Sequence, residues 1–416
     1  MSNSVPEGWT SSLLAEFCDV VGGGTPDRSV REFWGGDIPW ASPTEITSSF
    51  RKYISETKER ITDKGLEKSS AKLHPPGTVL MTSRASIGFV AINTVPMATN
   101  QGFQSLRCKD GALADYLYQY ITWLRPELEK MSAGSTFSEI SSSSVKKLRV
   151  TLPPLPEQQK IAAILSSVDD VIEKTRAQID KLKDLKTGVM QELLTKGIGP
   201  DGAPHTAFKD SPVGRIPEEW AVCMASEVAE EVMVGVVIKP TQYYVDSGIP
   251  ALRSANVREN GLTMENLKYF SIESNEKLKK SKLRKGDLLT VRTGYPGTTA
   301  VVTDGFEGCN CIDVVITRPS ERMNSNFFSM WVNSDGGKGQ VLKAQGGLAQ
   351  QHFNVGDMKN LLIVVPPLEE QKSIFGVVDS VAKKISTAEA RLDQVGKVKK
   401  ALMQDLLTGK VRVNVS

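Results

Sequence analysis

Asp27, Glu56 and Lys58 come nearest to a catalytic set in this chain, as Pro26-Asp27 followed by Glu56-Thr57-Lys58. In that order they loosely match a metal-dependent nuclease, in which carboxylates hold a magnesium ion. The match is short and permissive, so a stand-alone nuclease is a rival reading to be tested by magnesium-dependent cutting. Other reactive patterns fail on residue type or spacing. The Pro-Pro pairs stand in His74-Pro75-Pro76, Leu152-Pro153-Pro154 and Val365-Pro366-Pro367. None has the Asn/Asp-Pro-Pro-aromatic form of a base amino-methyltransferase loop. Gly337-Lys338 is followed by Gly339 and Gly409-Lys410 by Val411, so neither completes a Walker loop. His74, His205 and His352 are scattered, and Cys309-Asn310-Cys311 is too small a cluster for zinc. No catalytic residue and no metal site is expected.

Residues suited to a polyanion are placed more tellingly. Lys277, Lys279, Lys280, Lys282, Arg284 and Lys285 put six cations in nine residues, a density suited to phosphates. Arg84 stands between Ser83 and Ser86, and Arg292 beside Thr293 and Tyr295. Arginine can pair with guanine O6 and N7, and small polar neighbours permit close approach. Thr25 and Arg28 sit in and just after the turn Gly22-Gly23-Gly24-Thr25-Pro26, where glycine permits a positive φ. Thr136 and Ser138, and Gln350 and Gln351, occupy matching loops ahead of apolar strands. The candidate DNA-contacting set is therefore Thr25, Arg28, Ser83, Arg84, Ser86, Thr136, Ser138, Lys280, Lys282, Arg292, Thr293, Tyr295, Gln350 and Gln351.

The elements that must position these residues are duplicated. Pro153-Pro154-Leu155-Pro156-Glu157-Gln158-Gln159 opens a helical run to about Lys196, and Pro366-Pro367-Leu368-Glu369-Glu370-Gln371 opens another to about Gly409. The copies align without a gap at an offset of 213 residues. Apolar residues such as Ile161, Leu165, Val168 and Ile172, with Ile374, Val378, Val381 and Ile385, follow alternating steps of four and three. Thr175 and Ala388, with Lys186 and Lys399, complete a heptad seam of coiled-coil type. Pro217-Glu218-Glu219-Trp220 echoes Pro6-Glu7-Gly8-Trp9, and the loops between such anchors diverge in length and type. A duplicated scaffold with divergent loops is expected of two domains that read different things. The trailing linker is short, so the second domain sits near the end of the first helix and the second helix should run back antiparallel. A seam of ~40 residues is ~60 Å long, which gives a calliper with a domain at each end. Leu194 and Leu407 lie off the strict seam line and are expected to face a partner protein.

Composition agrees with a globular protein: 416 residues, 40% hydrophobic, 24% charged, with a formal net charge of +3. The 5 cysteines imply no disulfide framework, and no apolar run reaches spanning length, so a cytoplasmic location is expected.

The chain resembles the specificity (S) subunits of Type I restriction–modification systems over essentially its whole length. The paired Pro-Pro-Leu helix starts, the Gln191-Glu192-Leu193-Leu194-Thr195 and Gln404-Asp405-Leu406-Leu407-Thr408 helix ends, and the Pro-Glu-x-Trp openings carry the likeness. The resemblance implies an α+β chain of two pseudo-symmetric globular target recognition domains separated by an antiparallel two-helix coiled coil. Residues 1–152 would form recognition domain 1 and 153–198 conserved helical region 1. Residues 199–365 would hold the linker and recognition domain 2, and 366–416 helical region 2. It also implies that each domain reads one half of a split target in double-stranded DNA. The helices would dock two modification (methyltransferase) subunits, and restriction subunits would join for cleavage. S-adenosylmethionine, ATP and Mg²⁺ would belong to those partners, with none in this chain. A coiled-coil scaffold that never touches DNA is the remaining rival.

Overall fold

The computed structural model describes residues 5–49, 51–132, 139–199, 201–344 and 352–415. The chain forms two compact units, Met1–Ala177 with Ala390–Ser416, and Gln178–Glu389. Among the described residues no helix is long and apolar enough to cross a membrane.

The first unit is built on a five-stranded sheet: β1 (Cys18–Gly22), β2 (Tyr53–Ile54), β3 (Val79–Thr82), β4 (Val90–Asn93) and β5 (Phe103–Cys108). Their order is β1-β5-β3-β4-β2, antiparallel except that β2 runs parallel to β4. Every residue of β3 and β4 is buried, so neither shows the alternation of a half-exposed strand. One face carries α1 (Ala114–Ser132), whose Tyr116, Leu117 and Ile121 join Val79, Met81 and Ile92 in a core. A helix is expected from Ala114 to Trp123; it continues through Pro126 because Leu128 beyond it is also buried in that core.

The second unit repeats the plan after α2 (Leu155–Lys196), the first long helix. Strands β6 (Ala229–Val234), β7 (Leu288–Val291), β8 (Thr299–Val301) and β9 (Val314–Pro319) are ordered β6-β9-β7-β8, the order of the first sheet without its β2. Helix α3 (Ser325–Asn333) lies where α1 does, and α4 (Leu368–Leu407) is the second long helix.

Inside each unit one end of α2 meets the opposite end of α4, the antiparallel sense that connectivity predicts. In the first, Asp169 pairs with Lys399 at 2.5 Å, and Ile161 and Leu165 share a core with Met403 and Leu406. In the second, Lys183 meets Glu389 at 3.0 Å, and Leu194 shares a core with Ile374 and Val378. Thr175 and Ala388 are buried, as seam positions should be.

The Pro-Pro motifs are joints between domain and helix. Gln158 donates to the carbonyls of Gly111 and Pro153, both at 2.8 Å, and accepts from the Leu113 N–H at 2.9 Å. Gln371 does the same with Arg322 (3.1 Å), Pro366 (2.9 Å) and the Asn324 N–H (2.8 Å). The indole of Trp9 donates to Glu157 at 3.1 Å and that of Trp220 to Glu370 at 3.0 Å. Both carboxylates are buried and so need further partners. Glu157 takes the Arg412 guanidinium at 2.7 and 2.9 Å, while Glu370 takes the Ile198 N–H at 2.9 Å and lies 3.0 Å from His205 Nε2. Each glutamate stands in the first turn of its long helix, where it complements the helix dipole, and is the centre of its joint.

Candidate nucleic-acid interface

Three loops meet at one edge of the first unit. Thr25, in the turn after β1, reaches the Gln101 side chain with its hydroxyl. The turn lies this close because Gly23 has no Cβ: one would come 2.0 Å from the Asn100 carbonyl. On the other side the Ser83 N–H donates to the Gly102 carbonyl at 2.7 Å, which brings Arg84 to the same edge. Arg84 is exposed and its Nε lies 2.9 Å from Glu139. Ala85 takes a left-handed φ of 57° and Gly88 one of 76°, which fold the loop back into β4. The edge thus presents an amide, a hydroxyl and a guanidinium, groups that can read base edges or hold phosphates.

Other expected members of this set are placed differently. Ser83 is fully buried behind the loop, because its neighbour Thr82 ends a strand buried throughout; it is removed from the surface set. Ser86 is half-buried. Arg28 forms a two-pronged pair with Glu59, lies 4.1 Å over the Trp34 ring, and holds the Glu59 carboxyl below its usual range through their hydrogen bonds. The Asp27 carboxylate accepts from the Ser29 N–H (2.9 Å) and hydroxyl (2.7 Å), which lower its pKa and tie it to its own turn. Among the described residues no group of three or more His, Cys, Asp or Glu could hold a metal ion.

The second unit shows the same edge with other side chains. The Asp313 N–H donates to Val236 at 3.2 Å, and Asp313 pairs with Arg292, which is mostly buried and leaves its Nε without a partner. The Arg292–Gly297 loop is one residue longer than Arg84–Gly88 and carries Tyr295 at 84% exposure. Thr293 beside it is half-buried. Next to Val236 stand Ile238, 76% exposed, and Lys239, with a left-handed φ of 43°. Half of the basic run is already neutralised: Lys277 by Glu273 (2.7 Å), Lys282 by Glu276 (2.5 Å) and Lys285 by Asp304 (2.7 Å). Lys279, Lys280 and Arg284 have no ion-pair partner among the described residues. Thr136, Ser138, Gln350 and Gln351 lie outside the described residues.

Sequence reasoning missed Gln101, Ile238 and Lys239. Gln101 carries a weak signal, as a polar residue in Asn100-Gln101-Gly102 just before a strand. Ile238 carries none, because an isoleucine reads as core until its exposure is seen.

Leu194 and Leu407 are a correction. They are 4% and 1% exposed, within the cores of the second and first units. Trp220 and Ile216 share Leu194's core, with Ile374 and Val378 of the other helix, and Trp9 and Val150 share Leu407's, so domain and helix together cover them. Neither is available to a partner.

A family model described as the Type I restriction modification DNA specificity domain matches residues 6–184 and again 217–397. The specificity subunit of the Type I restriction enzyme MjaIX of Methanocaldococcus jannaschii is 26% identical over 414 residues, covering 98% of this chain and 95% of that protein. The EcoKI specificity subunit of Escherichia coli K12 is 20% identical, covering 95% of this chain and 88% of that protein. The crystal structure of a Type I restriction–modification S subunit from M. genitalium matches with a TM-score of 0.58 at 14% identity, covering 98% of this chain and 97% of that one. A chain from the structural basis of complex assembly and conformational transition of the type I R-M system matches at 0.59 and 18%, covering 98% and 100%.

Proposed function

The chain belongs to the Type I restriction modification DNA specificity family, matched once in each half, and from that premise we propose how its parts divide the work. It is a DNA-recognition subunit of a Type I restriction–modification system. Each globular domain reads one half of a bipartite target through the edge where its three loops meet. One observation carries this reading: the two sheets share a strand order and the two joints share their hydrogen bonds, while the edges present different groups. Thr25, Gln101 and Arg84 face one half-site; Ile238, Lys239, Arg292 and Tyr295 face the other.

Each long helix, at ~1.5 Å per residue, extends ~60 Å, more than one ~34 Å turn of B-DNA. The helices set the length of an unread spacer and dock two modification subunits, and restriction subunits join that complex. Methyl transfer, ATP use and cleavage belong to those partners with S-adenosylmethionine, ATP and Mg²⁺. The complex works in the cytoplasm, where its DNA is.

The test is methylome sequencing of a host carrying the complete system. Arg84→Ala should weaken or relax one half-site and Tyr295→Ala the other, each by about 1–3 kcal/mol where a base contact is lost. Exchanging residues 1–152 for those of a relative should replace one half-site and leave the spacer unchanged. Wild-type methylation at the same sites by both point variants would refute the edge assignment.

A further inference from the structure

The joint fixes the register between the units: Gln158 and Gln371 differ by 213 and their partners Leu113 and Asn324 by 211. That register makes Asp115 equivalent to Asn326, Gln119 to Met330, Ser166 to Asp379, Asp169 to Ala382 and Lys399 to Lys186.

In the first unit the slot between the long helices and the domain is filled by the chain itself. Asp169 takes Lys399 at 2.5 Å on one oxygen and the Gln119 amide at 2.6 Å on the other. Lys52, just ahead of β2, inserts its ammonium 2.6 Å from Asp115 and 2.7 Å from the Ser166 hydroxyl. Two cations and two carboxylates close the slot, and β2 covers the edge of β4.

The second unit keeps the frame and lacks the filling. Its sheet ends at β8 with no counterpart of β2 among the described residues. Asp169 is replaced by Ala382 and Gln119 by Met330, and the slot is a cavity of about 430 Å³. Lys186 lines it, half-buried, with no ion-pair partner among the described residues. The slot's two carboxylates are engaged elsewhere, Asp379 with Lys383 at 2.7 Å and Glu259 with Lys338 at 2.5 Å. A partly desolvated ammonium thus remains where its equivalent has a carboxylate, and the unmatched charge is positive.

We infer that this slot is a docking pocket for one acidic side chain, a glutamate or aspartate presented by a modification subunit, which supplies to Lys186 the carboxylate that Asp169 supplies to Lys399. The inference rests on the functional reading above for the identity of that partner. The cavity has room for a side chain and its flanking backbone. Glu259 and Asp379 at its rim oppose a nucleic-acid backbone, which would bring several negative charges beside them. The two units then dock their partners differently: the first offers a closed surface and the second an open slot with one unpaired ammonium.

Ala382→Asp tests this, because it restores within the chain the carboxylate of the first unit. The full chain is titrated with its modification subunits in a calorimeter, and its thermal midpoint is measured alone. Wild type should bind two modification subunits. Ala382→Asp should raise the midpoint of the free chain and weaken one of the two binding events about tenfold, leaving the other unchanged. Lys186→Met should weaken the same event, and combining it with Ala382→Asp should abolish the gain in midpoint. If Ala382→Asp misfolds by circular dichroism, Lys186→Met alone decides. Wild-type affinity at both sites in a folded variant overturns the pocket while the functional reading stands. Failure of the wild-type chain to bind any modification subunit overturns that reading, and the pocket with it.

Discussion

A buried imidazole shows how far single residues in this chain are governed by their surroundings. His74 is fully buried, its Nδ1 accepting from Arg107 Nε at 3.4 Å and its Nε2 lying 3.5 Å from the Thr99 hydroxyl. Burial, and then the Arg107 charge, lower its pKa from 6.5 to about 4. The unfolded chain takes up this proton near pH 6.5 and the folded chain only near 4, so stability is full above that window and is lost as pH falls through it. The loss amounts to at most about 1.4 kcal/mol per pH unit. His74→Gln should therefore flatten the fall in thermal midpoint between pH 7 and pH 5; an equal slope in both proteins would show that His74 takes no part. The residue types on the reading edges were partly legible for a related reason. Arg84 and Tyr295 stand exposed as their types suggest, whereas Arg292 turns inward to Asp313, Ser83 is buried beside a strand buried throughout, and Ile238 is exposed.

At the scale of elements the heptad pattern predicted both long helices to within a few residues, since ~40 residues of periodic apolar sequence leave few alternatives. Sheet order was not legible. β1 pairs with β5, more than eighty residues away, and the two-residue β2 has no periodicity to read. The helices also carry glycines that serve no close approach. A Cβ on Gly188, Gly376 or Gly396 would meet nothing within 4 Å. Each Gly→Ala replacement should stabilise the chain by about 0.5–1 kcal/mol, because glycine pays more backbone entropy to become helical. Urea unfolding of the triple variant checks this; a lower midpoint would mean that a helix needs glycine's freedom at one of these sites.

For the whole molecule, duplication was the strongest signal, and it extends to how each unit is closed. After α4, Gly409 packs on Pro6 and Trp9, and Arg412 reaches Glu157 and, at 2.9 Å, the Glu7 carbonyl. After α2, Gly197, Ile198 and His205 serve Glu370 in the same way. What the sequence hid is that both partners of a joint come from distant segments, so neither Arg412 nor His205 carried a sign of its role. Ending the chain after Thr408 leaves Glu157 buried without its cation. Amide exchange should then quicken around Trp9 and the start of α2, while peptides from residues 217–388 keep their protection. Equal protection in both proteins would show the tail to be dispensable.

The joint glutamines have a consequence for how such chains change over generations. Gln158 and Gln371 address only main-chain groups of their domains, and the residues that own those groups, Gly111 and Leu113 in one half and Arg322 and Asn324 in the other, have no side-chain chemistry in common. The glutamine part of the joint therefore places no demand on the identity of the domain residues it holds. What an exchanged domain must still bring is the indole that meets each helix glutamate, Trp9 for Glu157 and Trp220 for Glu370, and in the first half the Gln119 amide for Asp169.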